Sequence, residues 1–172
     1  MSKAFTRESD DAPEQPVLRQ PSSLPAGVKN YLTPDGARRF REELERLVQV
    51  KRPPLAAAPT EDAGAKRQLQ TLDLRVRQLH QSLESAVVAP SPATPEERAR
   101  VRFGATVTVR LQGGEEERYR IVGVDETDID RGWVSWLSPI AKALLDATPG
   151  QHVRFKFPSG EKELEIVRIE YE

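Results

Sequence analysis

Two runs of apolar residues spaced three and four apart, Ala37, Phe40, Leu44, Leu47 and then Leu69, Leu72, Val76, Leu79, Leu83, constrain this chain more than any other feature. That spacing is the seam between two packed helices. A short connector joins them, so the helices are expected to run antiparallel as a hairpin with the connector at its free end. Thr33 is placed to cap the first helix, Pro34 suits its first position, and Asp35 faces the positive end of the helix dipole. Apolar Leu32, just before the cap, is positioned to staple onto the first turn. The helix is expected to reach Lys51, after which Pro53 and Pro54 withdraw amide donors and impose a kink. Leu55 to Ala58 has room for one further turn before Pro59. Thr60 is the expected cap of the second helix, with Glu61 and Asp62 in its first turn.

Past Ser85 the composition changes. Ala89-Pro90-Ser91-Pro92-Ala93-Thr94-Pro95 has the make-up of a linker. Beyond it the apolar period shifts from helical to alternating. Thr106–Leu111 and 117–124, separated by Gly113-Gly114, read as a hairpin, Trp133–Trp136 as a short strand, and 152–157 with 164–171 as a second hairpin. Ser138 and Pro139 open a short helix expected to reach Ala147. The expected division is a tail over 1–30, a coiled-coil hairpin over 31–88, a linker over 89–98 and a sheet unit over 99–172. The whole is an α+β protein whose second unit is an antiparallel sheet with one helix laid across it. Pro13, Pro16, Pro21 and Pro25 mark the tail as disordered, with a partner-binding arm as the alternative.

Several classes of function are disfavoured. With 37% hydrophobic and 31% charged residues, the chain has no apolar run near the roughly 20 residues of a membrane span. The opening MSKAFTRESDD lacks the apolar segment of a secretory signal, and there is no cysteine, so a cytoplasmic protein is expected. A net charge of −1 gives no bulk attraction for nucleic acid, and any contact with DNA or RNA must be local. His80 and His152 sit in different units, without the spacing of a zinc site. No phosphate-binding glycine loop or G-x-S-x-G is present, and independent catalysis is not expected. Two readings of Glu61 and Asp62 stay open. Acids at a helix start stabilise it by roughly 0.3 to 1 kcal/mol each. Adjacent carboxylates at the end of a slender arm also suit a hard cation such as Mg²⁺. Arg67, Arg75 and Arg77 lie off the seam, as a solvated helix surface would place them.

Tyr31-Leu32-Thr33-Pro34-Asp35-Gly36, followed by Glu43-Leu44 and Lys51-Arg52-Pro53, resembles the opening of the bacterial Gre transcript-cleavage factors, GreA and GreB. So do Phe103-Gly104-Ala105-Thr106-Val107, Tyr119-Arg120-Ile121-Val122-Gly123, the run from Ser138 to Leu145, and the closing Ile166 to Tyr171. The resemblance implies an FKBP-like second unit that docks on RNA polymerase around Ser138 and Pro139. It implies a coiled coil that enters the secondary channel, where Glu61 and Asp62 share the polymerase Mg²⁺ during cleavage of backtracked RNA. Arg67, Arg75 and Arg77 become candidate RNA contacts. No cofactor of its own, no membrane association and a monomer are expected, the protein being an accessory factor and not an enzyme.

Departures from the family pattern accompany the resemblance. The segment after Arg52-Pro53 is about a dozen residues short, which removes about 9 Å from each arm at 1.5 Å per residue. The tip lacks the Asp-x-x-Glu-Asn-Ala-Glu-like run, and Leu137 stands where an acid is common. A regulator that occupies the channel without promoting cleavage is therefore the alternative reading. Prolyl isomerase activity has only fold analogy behind it.

Overall fold

The computed structural model describes residues 24–172. Most of the expected tail lies outside them, but Asn30 does not belong to a tail. It opens β1 (Asn30–Leu32), which pairs in parallel with β2 (Ala86–Val88). These strands clamp the start and end of the helical unit together.

Helix α1 (Pro34–Arg46) begins as expected, with the Thr33 side chain accepting from Gly36 N at 2.9 Å. The prolines do not interrupt the helical hydrogen-bonded chain. A π-helical turn over Leu47–Lys51 leads directly into α2 (Arg52–Ala56), with Pro53 and Pro54 inside its first turn. Arg52 N–H reaches back five residues to the Leu47 carbonyl, a register in which the helix widens before the prolines enter. Proline is tolerated in a first helical turn, so the chain stays helical across a pair that sequence alone reads as a break.

The second helix, α3 (Ala63–Ser85), is capped by Asp62, not by Thr60: Asp62 Oδ1 accepts from Ala65 N at 2.9 Å. Asp62 N in turn donates to the Pro59 carbonyl at 3.0 Å, so Thr60 and Glu61 form a turn outside the helix. The helices lie in opposite senses. Glu43 of α1 meets Arg75 of α3, while Arg52, farther along the first arm, meets the earlier Asp73. Leu32, Ala37, Phe40 and Leu79 form a buried core at the base, flanked by Leu44, Leu47, Leu83 and Ala86.

The segment expected as linker contains α4 (Pro95–Arg98), held by a reciprocal cap in which Thr94 and Glu97 satisfy each other's backbone amides. Two backbone amides, of Ala93 and then Thr94, hold the Glu97 carboxyl below its usual range.

The sheet unit consists of β3 (Thr106–Leu111), β4 (Glu116–Val122), β5 (Trp133–Ser135), β6 (His152–Phe157) and β7 (Gly160–Glu170), in spatial order β5-β4-β3-β7-β6. Its two hairpins are antiparallel, but β5 runs parallel to β4. The expected all-antiparallel sheet is corrected on that edge. After Val122 the chain makes a 3₁₀ turn over Val124–Glu126, then folds back so that Trp133 pairs with Arg120. A register shift between Thr108 and Val109 interrupts the β3–β7 ladder. Helix α5 (Pro139–Leu144) is shorter than expected, ending before Asp146 at φ 65°. Its Ala141 and Leu144 pack with Val107, Val109, Ile121, Leu164 and Ile166 in the second core.

Leu79 is 1% exposed and carries the contact between α3 and the base core. Leu79→Ala should lower unfolding free energy by about 2 to 5 kcal/mol, measured by urea denaturation with an unchanged m value.

Candidate functional site

The expected functional residues lie in two places, the helical arm with its free end and the turn before α5, and a third place, the joint between helical and sheet units, fixes how the arm meets the sheet. The joint is built around Glu126, which is 1% exposed. Its carboxylate accepts from Thr33 N at 2.8 Å, Thr33 Oγ1 at 2.5 Å and Gly123 N at 3.0 Å. Arg39 Nη2 lies 3.6 Å away. A carboxyl group buried this deeply is tolerable only when its oxygens are satisfied, and here donors from both units supply that need. Thr33 therefore has two roles, capping α1 and bonding the sheet unit.

Gly36 and Gly123 make the approach feasible. A Cβ on Gly36 would sit 1.8 Å from Glu126 Oε1, and one on Gly123 would sit 2.0 Å from the Tyr31 carbonyl. Beside this lock, Asn30 Nδ2 donates to Asp125 Oδ2 at 3.1 Å, and the Ser82 hydroxyl bonds the same carboxylate. Tyr31 packs edge-on against Trp136 at 5.4 Å and tilted against Phe103 at 6.0 Å. Burial tends to raise the Asp35 carboxyl, but the hydrogen bond from Arg38 and the charges of Arg39 and Arg120 outweigh it and hold it below its ordinary range. Sequence reasoning found Thr33 as the cap of the first helix and missed Glu126, which lies 93 positions from Thr33.

At the free end, Glu61 and Asp62 are exposed, as expected for a tip. One Asp62 oxygen is engaged in capping α3. Of the candidate RNA contacts, Arg67 and Arg77 are exposed, whereas Arg75 is paired in bidentate fashion with Glu43 at 2.7 and 2.8 Å. Arg75 holds the two helices together. No group of three or more metal-ligating side chains occurs among the described residues. No described helix is long and apolar enough to cross a membrane.

Ser138 and Pro139 sit where β5 turns into α5. The Ser138 hydroxyl accepts from Ala141 N at 3.2 Å, and Pro139 is exposed at the first helical position. The preceding loop is closed by reciprocal backbone bonds between Asp128 and Trp133, leaving Ile129 at its tip 88% exposed.

Residues 95–171 match the family described as "Transcription elongation factor, GreA/GreB, C-term". The chain is 37% identical over 156 residues to transcription elongation factor GreB of Neisseria meningitidis serogroup B, covering 84% of this chain and 95% of that one. It is 39% identical over 153 residues to transcription elongation factor GreA of Alkalilimnicola ehrlichii, covering 81% and 96%. A solved GreA/GreB factor from Nitrosomonas europaea is 25% identical, with coverage of 83% and 100% and a TM-score of 0.40, too low for the superposition itself to bear on the fold.

Glu126→Gln keeps the shape of the lock and removes its charge, and should cost about 2 kcal/mol in urea unfolding. Gly36→Ala should cost at least as much, because the buried carboxylate must leave its donors. Asp35 contributes stability above its unfolded value near 3.8, and loses it as pH falls through the lower folded value. Asp35→Asn should therefore flatten the stability profile in the acid limb below about pH 4, measured by urea midpoints across pH.

Proposed function

The chain belongs to the GreA/GreB family of transcription elongation factors, and on that premise we propose that it docks on bacterial RNA polymerase through the sheet unit and inserts its helical arm into the secondary channel. It is a Gre-like regulator of elongation, and the sheet unit is read as FKBP-like. Docking is assigned to the turn around Ser138 and Pro139. Ser138 is fixed by its capping bond and Pro139 is presented to solvent, so this turn offers a preformed surface that loses little entropy on binding.

The observation that carries the proposal is the separation of roles along the molecule. A buried carboxylate fixes the base of the arm to the sheet unit, while the acids at the other end remain exposed. From Leu79 in the base core to Ala63 the helix spans roughly 25 Å at 1.5 Å per residue. In the cleavage reading, Glu61 and the second oxygen of Asp62 help hold the polymerase Mg²⁺ and a water at backtracked RNA, with Arg67 and Arg77 near RNA phosphates. The factor brings no metal of its own, the chemistry is the polymerase's, and it acts as a cytoplasmic monomer.

A second reading, occupancy of the channel without cleavage, is favoured by the capping role of Asp62, which leaves Glu61 as the tip acid outside the helix. Backtracked elongation complexes separate the two. Cleavage that falls at least tenfold in Glu61→Ala/Asp62→Ala supports the first, while unchanged RNA length with inhibited elongation supports the second. Docking is tested by pull-down with purified polymerase: Pro139→Asp should abolish retention while leaving the urea midpoint within the error of wild type, and a wild-type chain that polymerase ignores removes both readings.

A further inference from the structure

On the sheet unit, a concavity of about 280 Å³ is lined by Thr106, Arg118, Arg120, Arg131, Trp133 and Glu172. Three of these side chains are guanidinium groups and one is a carboxylate. Arg120 is 8% exposed, and its Nε is buried without a hydrogen-bond partner. Leaving such a donor unmet costs free energy that an incoming acceptor would recover. The Trp133 ring helps hold the cations in place, with Arg120 at 5.1 Å and Arg131 at 5.2 Å from its centroid, and Arg39 at 4.4 Å.

The resident anion is weakly held. Glu172 Oε2 lies 2.8 Å from Arg120 Nη2, yet that side chain is 68% exposed, so it can swing out without disturbing the fold. Asp35 is the other acid near Arg120, at 3.8 Å, and is already engaged by Arg38 and Arg39. Arg118 contacts Glu170 at 3.2 Å and Arg131 contacts Asp128 at 3.6 Å, both from exposed positions that permit reorientation. Planar guanidinium forks match phosphate oxygens in pairs, and three of them line one small cavity whose own wall carries a single carboxylate. The volume is at the small end for a ligand site, enough for a charged head group and too little for a drug-sized molecule.

We propose that this concavity is a binding site for a diphosphate group, free or at the end of a nucleotide, with the Glu172 carboxylate occupying the anion position until the ligand displaces it. Arg120 forms the floor, and Arg118 and Arg131 close on the outer oxygens.

The test is calorimetric titration of the full chain with inorganic diphosphate and, separately, with ADP, at matched ionic strength and without magnesium. Saturable binding is expected. Glu172→Gln should tighten it at least threefold by removing the competitor, whereas Arg118→Ser and Arg131→Ser, both at exposed positions, should each weaken it at least fivefold. Arg46→Ser on α1 serves as a charge-matched control and should change nothing. Equal affinity for the two probes identifies the diphosphate itself as the recognised group, and tighter binding of ADP identifies a nucleotide. Absence of a saturable response to either probe, or binding indifferent to Glu172→Gln and to both arginine changes, overturns the assignment. The readout requires no polymerase, so its failure is distinct from failure of the docking reading.

Discussion

A carboxylate removed from water dictates how the two units of this protein meet. The Glu126 carboxyl cannot sit unpaired in the interior, and most of the bonds that satisfy it come from the residue that caps the first helix. That requirement fixes the rest of the joint. Thr33 must offer both its amide and its hydroxyl, Gly36 must have no side chain, and Gly123 must let the Tyr31 carbonyl approach. The direction in which the helical arm leaves the sheet unit is thus set by hydrogen-bond geometry, and the parallel strand pair behind it keeps the second helix in step.

Much of the architecture was legible because it depends on local periodicity. Phe40, Leu72 and Leu79 are buried where the heptad spacing puts them, and the strands flanking Gly113-Gly114 pair as a hairpin. The cap at Ser138 was readable for the same reason, since its partner Ala141 is only three residues away. What escaped was long-range or cooperative. A strand of three residues such as Asn30–Leu32 is too short to show alternation, and its partner lies beyond both helices. Glu126 looks like one acid among several in a polar loop until the fold brings Thr33 to it. Thr94-Pro95-Glu96-Glu97 did carry the signature of a capped helical turn, but the surrounding prolines outweighed it in a composition-based reading. At the arm's end, Asp62 displaced Thr60 as cap because the turn begun by Pro59 delivers its carboxylate to the Ala65 amide.

Charge on the sheet unit follows a similar economy of place. Arginines cluster around Trp133, where the aromatic face and nearby acids offset their mutual repulsion. The edge strand β6 carries Arg154 and Lys156 exposed on its outer face, charges that discourage another sheet from adding to that edge.

The widened turn at Leu47–Lys51 has a geometric effect on everything distal to it. One extra residue wound into a helix rotates the following residues by about 100° around its axis. The bearing on which the connector's acids point is consequently set in part by this one turn, which starts at Leu47 beside the base core. Such a turn acts like the collar of a periscope, setting the heading of the tube from a point next to its mount.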